Sequence, residues 1–168
     1  MIETKRLKIR PLSYDELVKH IRSPRELSDE MGLKPSSSLI DEQTQEAILT
    51  DLLPNLSDAT KNPLFYTMWI IIEKEENAII GGICFHGEPD INGEVEIGYG
   101  TDDEYRNRGY MTETIAGMIL WARENEKIRT INAETDKDNH SSIRVLEKNG
   151  SKMTRQADST VIMRLELI

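Results

Sequence analysis

The segment 104–112 contains two arginines and a glycine, in the order Glu-Tyr-Arg-Asn-Arg-Gly-Tyr-Met-Thr, between a strand-like run and a helix-like run. The first N–H groups of a helix have no partner within the helix, and the helix dipole favours negative charge there. Gly109 allows the backbone to approach a ligand closely, and Arg106 and Arg108 add cationic donors. This spacing predicts a phosphate or pyrophosphate site, and an ordinary strand-to-helix loop is the competing interpretation.

A second polar segment begins at Asn139 and ends at Gly150. Asn139 is a favourable N-cap, and Gly150 is a favourable residue after the last turn of a helix. Ser142 lies three residues after Asn139, where an N-cap side chain reaches the backbone. The segment therefore predicts a short helix over residues 142–149.

Together, the two segments resemble the GNAT N-acetyltransferase superfamily. The acetyl-CoA loop of that family has the pattern Gln/Arg-x-x-Gly-x-Gly/Ala, which Arg106 and Gly109 match, with Met111 in the third position. The next family motif is an Asn, a Ser three residues later and a short helix ending in Lys-x-Gly, which residues 139–150 match. The opening residues 2–12 also resemble the ribosomal-protein N-acetyltransferase (RimJ/RimL-like) branch.

The resemblance implies one α/β domain over residues 1–168, with a central, mostly antiparallel mixed sheet and helices on both faces. It implies an acetyl-CoA-dependent enzyme that moves an acetyl group directly to a primary amine within a ternary complex. The acceptor would be a peptide or protein N-terminus or a small amine, and no metal is expected. A non-catalytic acyl-CoA sensor stays open, since Leu146 stands where many family members have a proton-donating Tyr. A nucleotide-binding module is a second alternative.

The resemblance also places the parts of acetyl-CoA. The pyrophosphate is expected on the N–H groups of residues 106–112, and the pantetheine arm beside the end of the preceding strand. The residues expected to bind acetyl-CoA are Tyr99, Gly100, Thr101, Arg106, Asn107, Arg108, Gly109, Tyr110, Met111, Thr112, Asn139 and Ser142. Because Met111 replaces the small residue of the family pattern, its side chain is expected to crowd the loop.

Acetyl transfer requires one group that takes a proton from the amine and another that returns a proton to the departing thiolate. Glu96 is the favoured base, since it shares a strand face with Gly98 and Gly100, which leave room for a ligand. Glu134, at the end of the next strand, is the competing carboxylate, and either residue alone also fits a solvated strand position. Ser142 is the candidate donor to the sulfur, by resemblance to the ribosomal-protein branch.

Cys84 and His86 lie two residues apart on a predicted strand and therefore face the same side. Without a third ligand or an orienting carboxylate, they predict neither a metal site nor a nucleophile pair. We therefore interpret them as a buried cysteine and an incidental histidine. Since Cys84 is the only cysteine, no intramolecular disulfide is expected.

The net charge of −9 argues against a nucleic-acid partner. It fits a cationic acceptor, and it equally fits an acidic protein whose charge serves solubility. No apolar run approaches the roughly 20 residues that span a bilayer, and the N-terminus lacks a signal-like segment, so a cytoplasmic location without membrane contact is expected. A homodimer stays an open expectation, because the sequence indicates no interface residue.

The expected elements that position these residues follow from hydrophobic period and caps. A strand over 5–10 precedes a helix capped by Ser13, and Pro24 opens a second helix. A third helix begins at Asp41 and ends at Pro54. The remaining predicted strands are 66–73, 78–86, 94–100, 130–134 and 161–167, and the remaining helices are 112–125 and 142–149. The order after residue 94 predicts a parallel crossover.

Overall fold

A computed structural model describes residues 1–167, which form one eight-stranded sheet with helices on both faces. The strands are β1 (Ile2–Glu3), β2 (Leu7–Pro11), β3 (Met68–Glu73), β4 (Ala78–Phe85), β5 (Glu94–Thr101), β6 (Thr130–Asp136), β7 (Lys152–Gln156) and β8 (Thr160–Glu166). The helices are α1 (Tyr14–Arg22), α2 (Pro24–Met31), α3 (Glu42–Ala47), α4 (Leu53–Leu56), α5 (Tyr110–Arg123) and α6 (His140–Lys148).

The strand order across the sheet is β1-β2-β3-β4-β5-β6-β8-β7. Neighbouring strands are antiparallel apart from β5 and β6, which are parallel and are joined through α5. The mixed, mostly antiparallel sheet predicted from the sequence is therefore confirmed, and so is its parallel crossover.

Each face of the sheet carries its own apolar core. On β3, Trp69 and Ile71 belong to one cluster, whereas Ile70 and Ile72 belong to the other. This division follows from the period of two along a strand. Residues of α5 and α6 cover the first cluster, and residues of α1, α2, α4 and the turn 48–52 cover the second. Two separate cores hold the sheet rigid between the two helical layers.

The third helical segment passes through Pro54, so the prediction that this proline ends the helix is wrong. A π-helical turn, Ile48–Leu52, separates α3 from α4. Its wider hydrogen bonding ends with the Leu53 N–H donating to the Ile48 carbonyl. Pro54 then lies in the first turn of α4, directly after the π-helical turn.

β7 is an edge strand that the sequence pattern does not predict. All five of its residues are exposed, so it lacks the apolar alternation that identifies a strand. It pairs with β8, and the register shifts between Met153 and Arg155. The strand therefore forms because β8 supplies its hydrogen bonds, and it brings Thr154 and Arg155 beside β6 and β5.

The parallel pair β5 and β6 separates soon after it begins. Pairing is confined to Glu94 with Thr130, Val95 with Ile131 and Glu96 with Asn132. Beyond these pairs β5 runs on to Thr101, and β6 runs on to Asp136. The sheet consequently opens between the two strands, and we call this opening the split.

Gly93 holds the closed end of the split. Its φ is 79°, and its carbonyl accepts hydrogen bonds from the N–H groups of Arg129 at 2.8 Å and Thr130 at 3.2 Å. A Cβ at this position would lie 2.8 Å from the Lys127 carbonyl oxygen. Glycine is therefore required here both by the left-handed backbone and by the close approach of the segment that enters β6.

Glu113, in the first turn of α5, ties that helix to the beginning of the chain. Its carboxylate accepts hydrogen bonds from the Thr4 hydroxyl at 2.6 Å, the Arg6 backbone N–H at 2.8 Å and the Arg6 Nε at 2.7 Å. Arg6 also donates to the Arg108 carbonyl at 2.9 Å. Burial raises the pKa of Glu113, but the hydrogen bonds from Thr4 and Arg6 outweigh that effect and hold it below its usual value.

We predict that Gly93→Ala is more destabilising than Gly32→Ala. Both glycines have positive φ, 79° and 67° respectively, so each substitution carries a backbone cost of roughly 1–3 kcal/mol. Only Gly93 adds the contact with the Lys127 carbonyl, since a Cβ at Gly32 meets nothing within 4 Å. Urea unfolding measures both free energies. Equal losses in the two variants would contradict the close approach at Gly93.

We predict that Glu113→Gln lowers the free energy of unfolding by roughly 1–3 kcal/mol at pH 7, because charged hydrogen bonds are lost. The folded-state pKa of Glu113 is depressed, so its contribution is present above the unfolded pKa and disappears as pH falls through the folded pKa. The gap in melting temperature between wild type and variant should therefore close on acidification from pH 7 to pH 3. Glu147→Gln, at an exposed position on α6, is the control. A gap that is independent of pH would contradict the prediction.

Candidate active site

The loop that precedes α5 has the backbone shape expected of an anion site. A short 3₁₀ turn, Asp103–Tyr105, follows β5. Asn107 and Gly109 then take positive φ values of 60° and 78°, which turn the chain into the helix. No side chain caps this end of α5. The N–H groups of residues 110–112 therefore have no helical acceptor and point out of the first turn.

The two arginines of this loop, Arg106 and Arg108, are both exposed. Arg106 donates from its N–H to the Asp103 carbonyl at 3.2 Å, so this N–H is used within the turn. Its side chain lies 3.0 Å from an Asp103 carboxylate oxygen and donates to the Thr101 carbonyl. The Arg108 guanidinium lies 5.4 Å from the Tyr105 ring centroid. Two guanidinium groups thus flank a helix end with free N–H donors.

Met111 does not crowd the loop. Its side chain is 8% exposed and belongs to the core cluster beneath α5. The expectation of crowding is wrong, because the first turn of the helix directs this residue towards the sheet. Its neighbour Thr112 accepts a hydrogen bond on its carbonyl from the Asn149 side chain at 3.2 Å, which links α5 to the end of α6.

Tyr99 and Ser142 connect β5 to α6 across the split. The two hydroxyl oxygens are 2.8 Å apart. Ser142 lies in the first turn of α6, where its N–H donates to the Asn139 side chain at 3.1 Å. Burial raises the pKa of Tyr99, and the hydrogen bond with Ser142 only partly offsets this effect. The sequence places Tyr99 among the acetyl-CoA-binding residues, and no local pattern pairs it with a residue 43 positions away.

On the other face of the sheet, β5 to β8 line an open depression of about 240 Å³. Its lining residues are Glu94, Glu96, Asn132, Glu134, Thr154, Arg155, Ile162 and Arg164. Glu94 is bound by Arg164 at 2.8 Å and by the Asn132 amide at 2.9 Å, and these hydrogen bonds lower its pKa. The structure therefore brings the two candidate carboxylates, Glu96 and Glu134, to one surface. Within residues 1–167, neither has a Lys or Arg nitrogen within 4.0 Å.

His86 forms a pair with Glu96, a contact that its interpretation as an incidental histidine does not include. Its Nδ1 lies 2.9 Å from a Glu96 carboxylate oxygen, and its backbone N–H donates to the Glu96 carbonyl, also at 2.9 Å. Glu96 thus supplies an orienting carboxylate for the imidazole. The pairing of Phe85 with Ile97 in the β4–β5 register brings the two residues together. No local sequence pattern reveals the pair, because it depends on this register.

Cys84 lies near His86, but its thiol is not reactive at neutral pH. It pairs with Gly98 in the β4–β5 register, and burial raises its pKa to about 11. Among the described residues, no group of three or more His, Cys, Asp or Glu side chains is arranged to hold a metal ion. Across residues 1–167, every helix is too short or too polar to cross a bilayer.

Known structures share this fold. A coenzyme A complex of RimL, a ribosomal L7/L12 alpha-N-protein acetyltransferase, has a TM-score of 0.68 and 16% identity, with 97% of this chain and 95% of that chain covered. The ribosomal-protein-S5-alanine acetyltransferase from Vibrio fischeri has a TM-score of 0.67 and 17% identity, with 98% and 94% covered. At such low identity, these similarities show the fold alone.

Sequence comparison identifies the family. The N-acetyltransferase YjdG of Bacillus subtilis (strain 168), described as uncharacterized, is 31% identical over 152 residues, which are 89% of this chain and 88% of that protein. The family described as the acetyltransferase (GNAT) domain matches residues 6–152, which include the split, α6 and the loop of Arg106 and Arg108 before α5, called the arginine loop below. This chain therefore belongs to the GNAT family and is an acetyltransferase.

Proposed function

We propose that this enzyme transfers the acetyl group directly to a primary amine, either a protein N-terminus or a small amine, within a ternary complex. The split between β5 and β6 carries the proposal, since it adjoins the arginine loop and the acidic depression. Two structural neighbours are named as an alpha-N-protein acetyltransferase and an S5-alanine acetyltransferase, which favours an N-terminal amine among the acceptors.

The residues around the split fit acetyl-CoA. The N–H groups of residues 110–112 and the exposed Arg106 and Arg108 suit a pyrophosphate. Past Glu96, the edge of β5 that faces β6 is available to hydrogen-bond a pantetheine arm, and a Cβ at Gly100 would meet nothing within 4 Å. When bound, acetyl-CoA supplies an activated acetyl group and a thiolate leaving group.

Direct transfer, rather than an acyl-enzyme route, agrees with the chemistry of Cys84. This residue is the only cysteine in the chain. Thiolate is the nucleophilic form of cysteine, and a pKa raised to about 11 keeps Cys84 protonated at neutral pH. The acceptor amine is therefore the nucleophile, and the enzyme must position it and remove its proton.

We assign proton removal to the Glu96 side of the depression rather than to the Glu134 side. Glu96 belongs to the last β5–β6 pair, and Gly98 is the next residue on the same face of β5. An acetyl group at the split would therefore lie beside this side of the depression. Glu134 is exposed on β6 opposite Ile162, and its negative charge there favours the approach of a cationic amine.

Ser142 is assigned as the proton donor to the departing thiolate, and Tyr99 positions it. Leu146, at the position of the usual Tyr, is 2% exposed and packs in the core, so it takes no part in proton transfer. The raised pKa of Tyr99 keeps its phenol protonated at neutral pH. The phenol can therefore donate to Ser142 as the serine proton moves to sulfur.

We predict that acetyl-CoA and CoA raise the midpoint of thermal unfolding, whereas ATP and NAD do not. A ligand at about 100 times its Kd adds roughly 2.7 kcal/mol of stability. The double variant Arg106→Gln/Arg108→Gln should lose most of the shift, because both guanidinium groups flank the proposed pyrophosphate site. Arg123→Gln, at the exposed far end of α5, is the matched control. No shift with saturating acetyl-CoA would remove the proposal, and a shift with ATP or NAD instead would favour the nucleotide-binding alternative.

We predict that Ser142→Ala lowers kcat by roughly 100-fold or more, the usual effect of losing a general acid. Tyr99→Phe should give a smaller loss, because Ser142 keeps its hydroxyl. Ser141→Ala removes a neighbouring exposed hydroxyl from the same helical turn and is the control. The assay follows CoA release with an alanine-terminated peptide as acceptor. Equal rates for Ser142→Ala and Ser141→Ala would contradict the assignment, and binding without turnover of any amine would favour the acyl-CoA sensor.

A further inference from the structure

We propose that the imidazole of His86, oriented by Glu96, is the general base that takes the proton from the acceptor amine. This inference rests on the proposed acetyl transfer and names the atom that accepts the proton, His86 Nε2. It makes Glu96 a positioning residue rather than the base itself.

The Glu96 carboxylate fixes the tautomer of the imidazole. A carboxylate only accepts hydrogen bonds, so the contact of 2.9 Å places the ring proton on Nδ1 of His86. Nε2 then carries the lone pair. Within residues 1–167, Glu96 is the only hydrogen-bond partner of this ring. The His86 backbone N–H also donates to the Glu96 carbonyl at 2.9 Å. This hydrogen bond holds the two residues opposite one another independently of their side-chain conformations.

Gly98 places Nε2 at the split. A Cβ on Gly98 would lie 2.8 Å from His86 Nε2, closer than any real side chain permits, so the imidazole rests on the glycine backbone. Gly98 is the first residue on this face of β5 after the last β5–β6 pair. Nε2 is thus at the point where a pantetheine arm along β5 would present its acetyl group. Glu96 contacts the other ring nitrogen, Nδ1.

Several ionisable groups lie on the same face of the sheet as the imidazole of His86. The ionisable groups on this face are Glu94 and Glu96 on β5, Glu134 on β6, Arg155 on β7, Arg164 on β8 and Cys84 on β4. Asp51, from the π-helical turn, acts electrostatically on Cys84, and Glu88 follows β4 near Tyr66. Arg164 is engaged with Glu94, so Glu96 is the nearest charge to His86.

An imidazole is better suited to this step than a lone carboxylate. An amine presents an acidic proton as an ammonium ion, and the most effective base titrates near the working pH. Free imidazole titrates at about 6.5, whereas free carboxyl groups titrate at about 4. The pair therefore combines a suitable base with a fixed orientation, the arrangement that nucleophile–base–carboxylate triads use.

The acceptor arrives as an ammonium ion, and one of its protons passes to His86 Nε2 and then to water. The amine lone pair forms the bond to the acetyl carbon, the carbon–sulfur bond breaks, and sulfur leaves with that electron pair. The nitrogen loses a second proton to water as the amide forms. Sulfur takes up one proton from Ser142, and Ser142 recovers a proton from water through the Tyr99 phenol. The products are therefore the amide, CoA and one released proton.

The deciding experiment is the dependence of kcat/KM on pH for wild type, His86→Gln, Glu96→Gln and Glu134→Gln, with acetyl-CoA and an alanine-terminated peptide. His86→Gln should lose about 100-fold or more in kcat, keep its KM for acetyl-CoA and lose the acidic limb of the pH profile that wild type shows. Glu96→Gln should lose less in kcat and keep a displaced limb. Glu134→Gln should keep the wild-type limb and change the KM for the peptide.

If the acidic limb of the kcat/KM profile persists in His86→Gln, it arises from the amine or from a carboxylate, and the inference is overturned. A wild-type kcat in His86→Gln would also overturn it. If acetyl-CoA fails to bind wild type, the proposed function itself fails. If acetyl-CoA binds and the peptide is acetylated equally by wild type and His86→Gln, only this inference fails, so the two failures are distinguishable.

A measurement without turnover tests the tautomer directly. The chain has three histidines, so ring ¹H–¹⁵N spectra at neutral pH give three patterns, and His86→Gln identifies the one to read. The expected pattern for His86 is a proton on Nδ1 in wild type and a mixture of tautomers in Glu96→Gln. A proton on Nε2 in wild type, unchanged in Glu96→Gln, would overturn the orienting role of Glu96 and with it the inference.

Discussion

The early separation of β5 from β6 is the constraint on which the rest of the site depends. A parallel pair requires a crossover, so α5 must begin where β5 ends, and its free N–H groups arrive at the open end of the split. Gly93 fixes the closed end through its carbonyl, and the contact of Glu113 with Arg6 fixes the start of the helix. The arginine loop is therefore held relative to the split from both sides. A weaker attachment at either end would let the loop move relative to β5.

The period of two along β5 separates the two proton transfers. Tyr99 belongs to the face that packs on the α5 core, and its hydroxyl reaches Ser142 of α6. Glu96 and Gly98 belong to the other face, where the imidazole of His86 lies. An acetyl group at the split thus has a proton donor on one side of the sheet and a proton acceptor on the other. The two groups cannot exchange a proton with each other, because β5 itself stands between them.

Structural features that depend on neighbouring residues, such as helix caps, could be predicted from the sequence. Contacts that depend on strand register could not. Ser13, Asp41 and Asn139 each cap a helix as their residue types and spacing indicate, since a cap involves only neighbours three positions away. The pairing of His86 with Glu96 depends on how the chain turns between β4 and β5, and a shift by one residue would send them to opposite faces. β7 depends in the same way on β8, since none of its own residues is buried.

Charge is distributed so that the two substrates reach the split from different sides. Arg106 and Arg108 stand at the loop, whereas Glu96 and Glu134 stand in the depression, where Arg164 has already neutralised Glu94. The net charge of −9 acts weakly at a distance, because salt screens exposed charges beyond about 8 Å at physiological ionic strength. The local carboxylates therefore matter more than the total. A cationic amine is attracted to the side of the sheet that holds His86, and the anionic phosphates are attracted to the end of α5.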